Sequence, residues 1–391
     1  MIHIARKLIE IVALVGTGAG VSYYLLCLWS AGAYLRYRGK ARQAAAAQGA
    51  VPPVSILKPL KGVDPEIYDC FRSHCLQDYP EYEIIFGVSE ADDPAVQTVQ
   101  RLQREFPQCS IQLVVCSQRL GANTKVSNLV QMLPVARYDH LIVNDSDIRV
   151  ESDYLRRVMA PLSEKRVGMV TCLYRGVPSG TLGSRLEAIG ISTDFSAGVI
   201  VARCIEGGVR FGLGSTLALR RRELEAIGGF EAFVDYLADD YELGKSIAAL
   251  GREVRLSEVV VETVLPAYDL KGFLEHQLRW ARSVRDSRPW GYAGLLFTFG
   301  VPWAMLVVIA ARGAAWAWGL AASVALLRVL MAWTVGRAVL RDRQLASLLP
   351  LLPLRDFAAV LVWLGSFVGN RIAWRGDYFR LKDGKLARVD P

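Results

Sequence analysis

Apolar and polar positions divide the chain into three stretches of different periodicity. Across residues 8–35 almost every position is apolar and Glu10 is the only acid. That run is long enough to cross a bilayer as a helix and too long for the apolar part of a cleaved signal peptide. Gly16 and Gly20 within it are spaced to let a second helix approach. From residue 54 the pattern changes to short apolar runs alternating with helical periodicity. Strands are expected at 54–57, 83–88, 111–115, 141–143 and 167–173, with helices at 66–76, 94–105 and 125–133. Such alternation predicts an α/β domain with a mostly parallel sheet.

Beyond residue 286 the apolar character returns. Residues 293–311 and 314–335 each suit a membrane span, separated by Arg312-Gly313, and Arg328 in the second should face another helix or snorkel. Residues 345–369 are interrupted by Pro350, Pro353, Arg355 and Asp356, which predicts an interfacial or re-entrant hairpin and keeps the basic tail (Arg371, Arg375, Arg380, Lys382) on the inner side. The resulting division is an N-terminal transmembrane helix (1–36), an alanine-rich linker (37–53), an α/β domain (54–285) and a C-terminal membrane region (286–391).

Composition supports this division. Of 391 residues, 52% are hydrophobic, too many for a purely soluble enzyme. The net charge of +8 suits a membrane surface or a phosphorylated substrate, and nucleic acid is not among the expected partners. Arg36, Arg38, Lys40 and Arg42 outweigh Arg6 and Lys7 across the first helix, which puts the α/β domain in the cytoplasm. The seven cysteines form no Cys-x-x-Cys pair, so neither a zinc site nor a disulfide framework is indicated. The first strand is not followed by Gly-x-Gly-x-x-Gly, and no Gly-x-x-x-x-Gly-Lys-Ser/Thr occurs. The dinucleotide and P-loop readings therefore lose their main support, and any phosphates would be held by a cation.

Four acidic or basic constellations fall in the middle stretch. Asp145-Ser146-Asp147 follows the strand at 141–143, where two acids spaced Asp-x-Asp could hold a divalent cation, or else form a surface turn. Asp92-Asp93-Pro94 could accept from a base or ribose, or cap the helix that Pro94 opens. Asp239-Asp240-Tyr241 offers a helix cap or a general base. In His276-Gln277-Leu278-Arg279-Trp280, Arg279 could stabilise a departing diphosphate and Trp280 could pack on acceptor or sugar; the plainer reading is a juxtamembrane anchor.

Taken together, KPLKGVDP (58–65), DYPEYEIIFGVSEADDPA (78–95), NTKVSNL (123–129), NDSDIRV (144–150), ADDYELGKSIAALG (238–251), RW (279–280) and NRIAWRGDYFRL (370–381) resemble the ceramide glucosyltransferase family and its bacterial hopanoid-associated relatives, within the inverting GT-A glycosyltransferases. The resemblance implies a GT-A (nucleotide-diphospho-sugar transferase) domain and a membrane-bound enzyme. That enzyme would move a sugar from a UDP-sugar to a lipid hydroxyl, using Mg²⁺ or Mn²⁺. It implies nucleotide and donor contacts for Asp92 or Asp93 and Asp145, with Lys58, Lys125 and Asn128 near the donor, and metal binding at Asp145 and Asp147. It further implies that Asp240 is the general base and that Arg279 and Trp280 complete the catalytic set. Two positions depart from the family: its closing motif usually opens with Gln or Arg where this chain has His276, and Asp147 stands where some relatives have glycine. A processive polysaccharide synthase and a non-catalytic nucleotide-binding scaffold are the rival expectations.

Overall fold

The computed structural model describes residues 2–46, 51–374 and 377–389, so residues 47–50 of the expected linker and Arg375 of the tail lie outside the described residues. The chain forms two compact units. A sheet unit comprises Arg36–Ser179, Ala202–Pro266 and Gly384–Pro391, and a helical unit comprises Met1–Leu35, Gly180–Val201 and Ala267–Asp383. This partition interleaves the sequence more than the expected boundaries did, because 180–201 and 267–285 group with the terminal helices.

The sheet unit is built on eight strands: β1 (Val54–Pro59), β2 (Tyr82–Val88), β3 (Ser110–Val115), β4 (His140–Val143), β5 (Ile148–Arg149), β6 (Val167–Val177), β7 (Leu217–Arg220) and β8 (Glu253–Val264). Their order is β3-β2-β1-β4-β7-β6-β8-β5. β1 pairs parallel with β2 and β4, β2 with β3, and β6 with β8, while β7 runs antiparallel to β4 and β6, and β5 to β8. The five expected strands are all present. So are the three expected helices, at Ile67–Cys75, Ala95–Glu105 and Thr124–Met132. The second of these buries Ala95, Val99 and Leu102, a single stripe at helical spacing.

β8 is absent from the sequence reading because Glu253, Arg255, Glu258 and Glu262 break its apolar run. The structure pairs those charges. Glu258 takes Arg157 at 2.6 Å, and Glu262 takes Arg149 at 2.7 Å and Arg175 at 2.9 Å. Glu83 is likewise fully buried in β2 and accepts from Ser55 Oγ at 2.6 Å, Gln112 Nε2 at 3.0 Å and Arg137 Nε at 2.8 Å. A buried carboxylate satisfied on all sides is compatible with a core strand.

In the helical unit the N-terminal helix runs Ile2–Ala46 and contains the predicted apolar span. A Cβ on Gly20 would collide with the Gly300 backbone, and one on Gly16 with the Trp303 ring. The two glycines are therefore where another segment packs close, as their spacing suggested. Four described helices are long and apolar enough to cross a membrane: His3–Gln43, Leu182–Ile205, Ala315–Val339 and Leu345–Ser366. Leu182–Ile205 was not expected, since Arg185, Glu187, Asp194 and Arg203 obscure its apolar character.

Two expectations are corrected. Residues 293–311 do not form one straight span: Pro289–Thr298 and Gly300–Ala310 meet at a 53° bend. Phe299 there leaves the helical conformation, three residues ahead of Pro302, which has no N–H to continue a helical ladder. Residues 345–369 contain no hairpin, because Leu345–Ser366 is a continuous helical run. Pro350 and Pro353 stand at the starts of its successive segments, where a missing N–H costs nothing. Arg355 and Asp356 within it are buried. Asp356 takes the Arg328 guanidinium at 2.7 Å, and Arg328 also reaches Asp194 at 2.5 Å, so Arg328 faces its neighbouring helices.

Candidate functional site

The parallel strands β1, β2 and β4 deliver three loops to the same edge of the sheet, their carboxyl ends, where open α/β sheets bind ligands. The turn Asp145–Asp147 after β4 is held from below. Lys58, fully buried at the end of β1, donates to the Asp145 carbonyl at 2.8 Å, and Cys70 Sγ approaches the Asp147 carbonyl at 3.4 Å. Ser146 Oγ donates to Asp64, and Thr263 Oγ1 donates to Asp147 at 2.5 Å. Asn144, at the strand's end, donates to the Ser215 carbonyl at 2.6 Å and so ties the turn to the segment that enters β7.

That tie brings Asp145 and Asp240 to one place. Gly214 N–H donates to Asp240 Oδ2 at 2.6 Å, and Tyr241 N–H donates to its Oδ1 at 2.8 Å. A Cβ on Gly214 would stand 2.8 Å from Asp145 Oδ2 and 3.3 Å from Asp240 Oδ2. With no side chain there, the Gly214 backbone lies close against one oxygen of each acid. The other Asp145 oxygen is held at 2.8 Å by Lys125, whose ammonium also lies 3.2 Å from Asp239. Asp239 accepts from Asn123 Nδ2 at 3.3 Å, and the same Asn123 caps the Thr124–Met132 helix that carries Lys125.

The electrostatics follow from this crowding. Burial pushes Asp240 up to about 6, with Asp239 beside it raising it further. Burial and then the Asp145 charge push Asp147 up to about 6. Burial opposes the Lys125 charge, but Asp145, Asp239 and Asp240 outweigh it and hold the ammonium well above its ordinary value. Lys58 is pushed down to about 8 by burial. The site thus contains a carboxylate poised near neutrality, Asp240, beside one that is partly open, Asp145.

The remaining expected residues are placed as follows. Asp93 accepts the amides of Gly62 at 2.9 Å and Ala95 at 2.9 Å, so it fastens the β1 loop to the start of the next helix; Asp92 is exposed. Asn128 is buried and accepts from Ser89 Oγ at 3.1 Å, bracing the end of β2. Arg279 and Trp280 belong to the helical unit, half-buried on the Leu270–Ser287 helix, where Trp280 lies between His276 and Phe195 with ring centroids 5.2 and 6.0 Å away. Sequence reasoning missed Asp64, Gly214 and Thr263, and offered Asp239 only jointly with Asp240. Asp64 lay inside a quoted motif, whereas Gly214 and Thr263 carry no local signal.

A divalent cation was tested against these donors. Among the described residues no group of three or more His, Cys, Asp or Glu is arranged to hold a metal by itself. Asp145 nevertheless keeps 39% of its side chain exposed, and Lys125 takes only its Oδ1. One or two protein carboxylates, completed by substrate phosphates, is the usual donor set for Mg²⁺. The residues fit a cation that arrives with a diphosphate.

The sheet order and its acid-lined carboxyl edge define a GT-A fold. A solved mannosyltransferase from Pyrobaculum calidifontis, in complex with GDP-mannose and Mn²⁺, superposes with a TM-score of 0.50 over 91% of this chain and 99% of its own, at 19% identity. The chain belongs to glycosyl transferase family 21, whose model matches residues 12–387. Ceramide glucosyltransferase 3 of Caenorhabditis elegans is 26% identical over 233 residues, 59% of this chain and 50% of that protein. The ceramide glucosyltransferase of Komagataella phaffii is 35% identical over 121 residues, 29% of this chain and 24% of that one. The chain matches about half the length of these curated relatives or less.

Proposed function

We propose that this family 21 glycosyltransferase is a membrane enzyme whose sheet unit faces the cytoplasm and which transfers a sugar from a UDP-sugar to a lipid hydroxyl, as in ceramide glucosylation. A ceramide, a hopanoid polyol or another lipid alcohol is the acceptor. The observation that carries this reading is that Asp145, whose side chain is 39% exposed, and Asp240, pushed up to about 6 by burial, converge on the Gly214 backbone.

Asp240 takes the proton from the lipid hydroxyl, its raised affinity for protons making it a base matched to neutral pH. The hydroxyl oxygen attacks the anomeric carbon from the face opposite the nucleotide. The bond from that carbon to the diphosphate oxygen breaks, UDP leaves with the electron pair, and the configuration inverts. Asp145, with Asp147 behind it, would hold Mg²⁺ or Mn²⁺; bound there, the ion supplies charge stabilisation for the leaving diphosphate. Lys125 orients Asp145 and Asp239, and Lys58 and Asn128 fix the strand ends beneath the donor. Asp92 and Asp93 are assigned to the nucleotide side. For Arg279, as counter-charge to the diphosphate, and Trp280, as acceptor contact, the assignment rests on the motif.

The test is to incubate membranes containing the protein with a panel of labelled UDP-sugars and to identify the labelled lipid by mass spectrometry. One sugar per lipid, lost in Asp240→Asn, is the expected result. Polymer of increasing length would replace this reading with a processive synthase. No transfer and no hydrolysis from any UDP-sugar would reduce the protein to a nucleotide-binding scaffold.

A further inference from the structure

His276 is the position at which the closing motif departs from its family, and the helical unit supplies it with a partner that the sequence did not suggest. Glu187, on the Leu182–Gly190 helix, is 1% exposed. Its Oε1 lies 3.1 Å from His276 Nδ1, near in distance but not aligned as a hydrogen bond, and its Oε2 accepts from Gln277 Nε2 at 2.9 Å. Both partners therefore come from consecutive residues of the helix that carries Arg279 and Trp280. Gln277 passes the contact on. Its Oε1 accepts from Arg355 Nη2 at 3.1 Å, and that guanidinium lies 3.5 Å from Asp194, which in turn holds Arg328.

The rings repeat the arrangement. His276 stacks on Tyr268 at 5.3 Å with planes 24° apart and meets Trp280 at 5.2 Å with planes 48° apart. Trp280 then contacts Phe195, which stands on the same helical run as Glu187, one π-helical segment (Ile191–Phe195) further on. The run thus touches the motif twice, once through a carboxylate and once through a ring. A buried carboxylate is tolerated only with charged or donating partners in place. Glu187 therefore favours the rotamer of Gln277 that donates to it and faces the ring of His276, and the indole of Trp280 packs at a tilt against that histidine.

We propose that Glu187 is a positioning residue for sugar transfer: by holding His276 and Gln277 it sets the face of the Leu270–Ser287 helix that presents Arg279 and Trp280. In this chain the His276–Glu187 pair does the work of the Gln or Arg that commonly opens the motif. The inference rests on the proposed transferase activity.

The experiment uses the full chain in lipid nanodiscs and compares wild type, Glu187→Gln, His276→Gln, His276→Arg and the double variant Glu187→Gln/His276→Gln. Melting temperature, kcat, and KM for the UDP-sugar are measured for each. Loss of orientation without loss of fold predicts a kcat lowered about 10- to 100-fold in Glu187→Gln, with KM for the donor and melting temperature close to wild type. His276→Arg retains most activity, because an arginine places N–H donors opposite Glu187. The double variant is no worse than the worse single variant, since the two side chains act as one unit.

Wild-type kcat in Glu187→Gln, multiplied losses in the double variant, or a loss of kcat that tracks a lowered melting temperature would each overturn the proposal. Should Glu187→Gln fail to fold, the double variant decides: folded with reduced kcat supports the proposal, and folded with normal kcat, or unfolded, overturns it. A wild type without transfer from any UDP-sugar would instead reject the proposed function itself.

Discussion

Both units bury charged side chains, but they treat them in opposite ways. In the helical unit Arg328, Asp194 and Asp356 meet one another side chain to side chain. At the sheet edge Asp240 is held mainly by backbone amides, and Asp145 by a lysine on only one of its oxygens. The first arrangement answers charge with opposite charge. The second answers Asp240 with neutral N–H groups, and burial leaves its affinity for protons raised. A buried acid held by neutral donors is thus a better candidate for proton transfer than one paired with arginine.

This contrast can be broken experimentally. The largest effect is expected for Asp240→Asn, which keeps shape but not basicity. Transfer should fall by about 10²- to 10⁴-fold while the melting temperature holds, measured by lipid product formation. Arg328→Ala should do the reverse. It leaves Asp194 and Asp356 without their shared cation and should cost about 3–5 kcal/mol of stability, read as loss of folded protein in detergent melts. Arg328→Met with Asp356→Leu should recover most of that loss, because removing both charges also removes the desolvation problem.

Gly214→Ala comes next. Its Cβ would stand 2.8 Å from Asp145 Oδ2, so that carboxylate must move, and a loss of about 100-fold in kcat/KM with little change in stability is expected if Asp145 and Asp240 act together. The smallest effect is the acid limb of the pH profile. Because Asp240 is raised to about 6, it keeps its proton as pH falls below that value and cannot accept another. The rate should therefore decline about tenfold per pH unit there. A limb that stays near 4 would reject Asp240 as the base.

Much of the sheet unit was legible because its strands are short continuous apolar runs and its acids sit where those runs end. Asp145 and Asp240 stood out by local pattern, but only the family resemblance set them apart from a surface turn and a helix cap. Gly214 did not: what matters there is a side chain that is missing, opposite residues far away in sequence. β8 and the Leu182–Ile205 helix escaped for a shared reason, that Glu258, Glu262, Glu187 and Asp194 look like surface positions until their arginine, histidine or glutamine partners are known. The proline-bearing segment 345–369 misled in the other direction. Proline forbids a helix only in its interior, and both prolines there open a segment.

The support beneath Asp145 has one further consequence. Lys58 is a primary amine sealed from solvent, with its proton held less firmly than that of an ordinary lysine. An acylating reagent would mark the exposed lysines quickly and reach Lys58 only during excursions that part β1 from the turn above it. The rate at which that one amine is labelled, followed by peptide mapping, is therefore a clock for the breathing of the turn Asp145–Asp147, and a bound donor nucleotide should slow it.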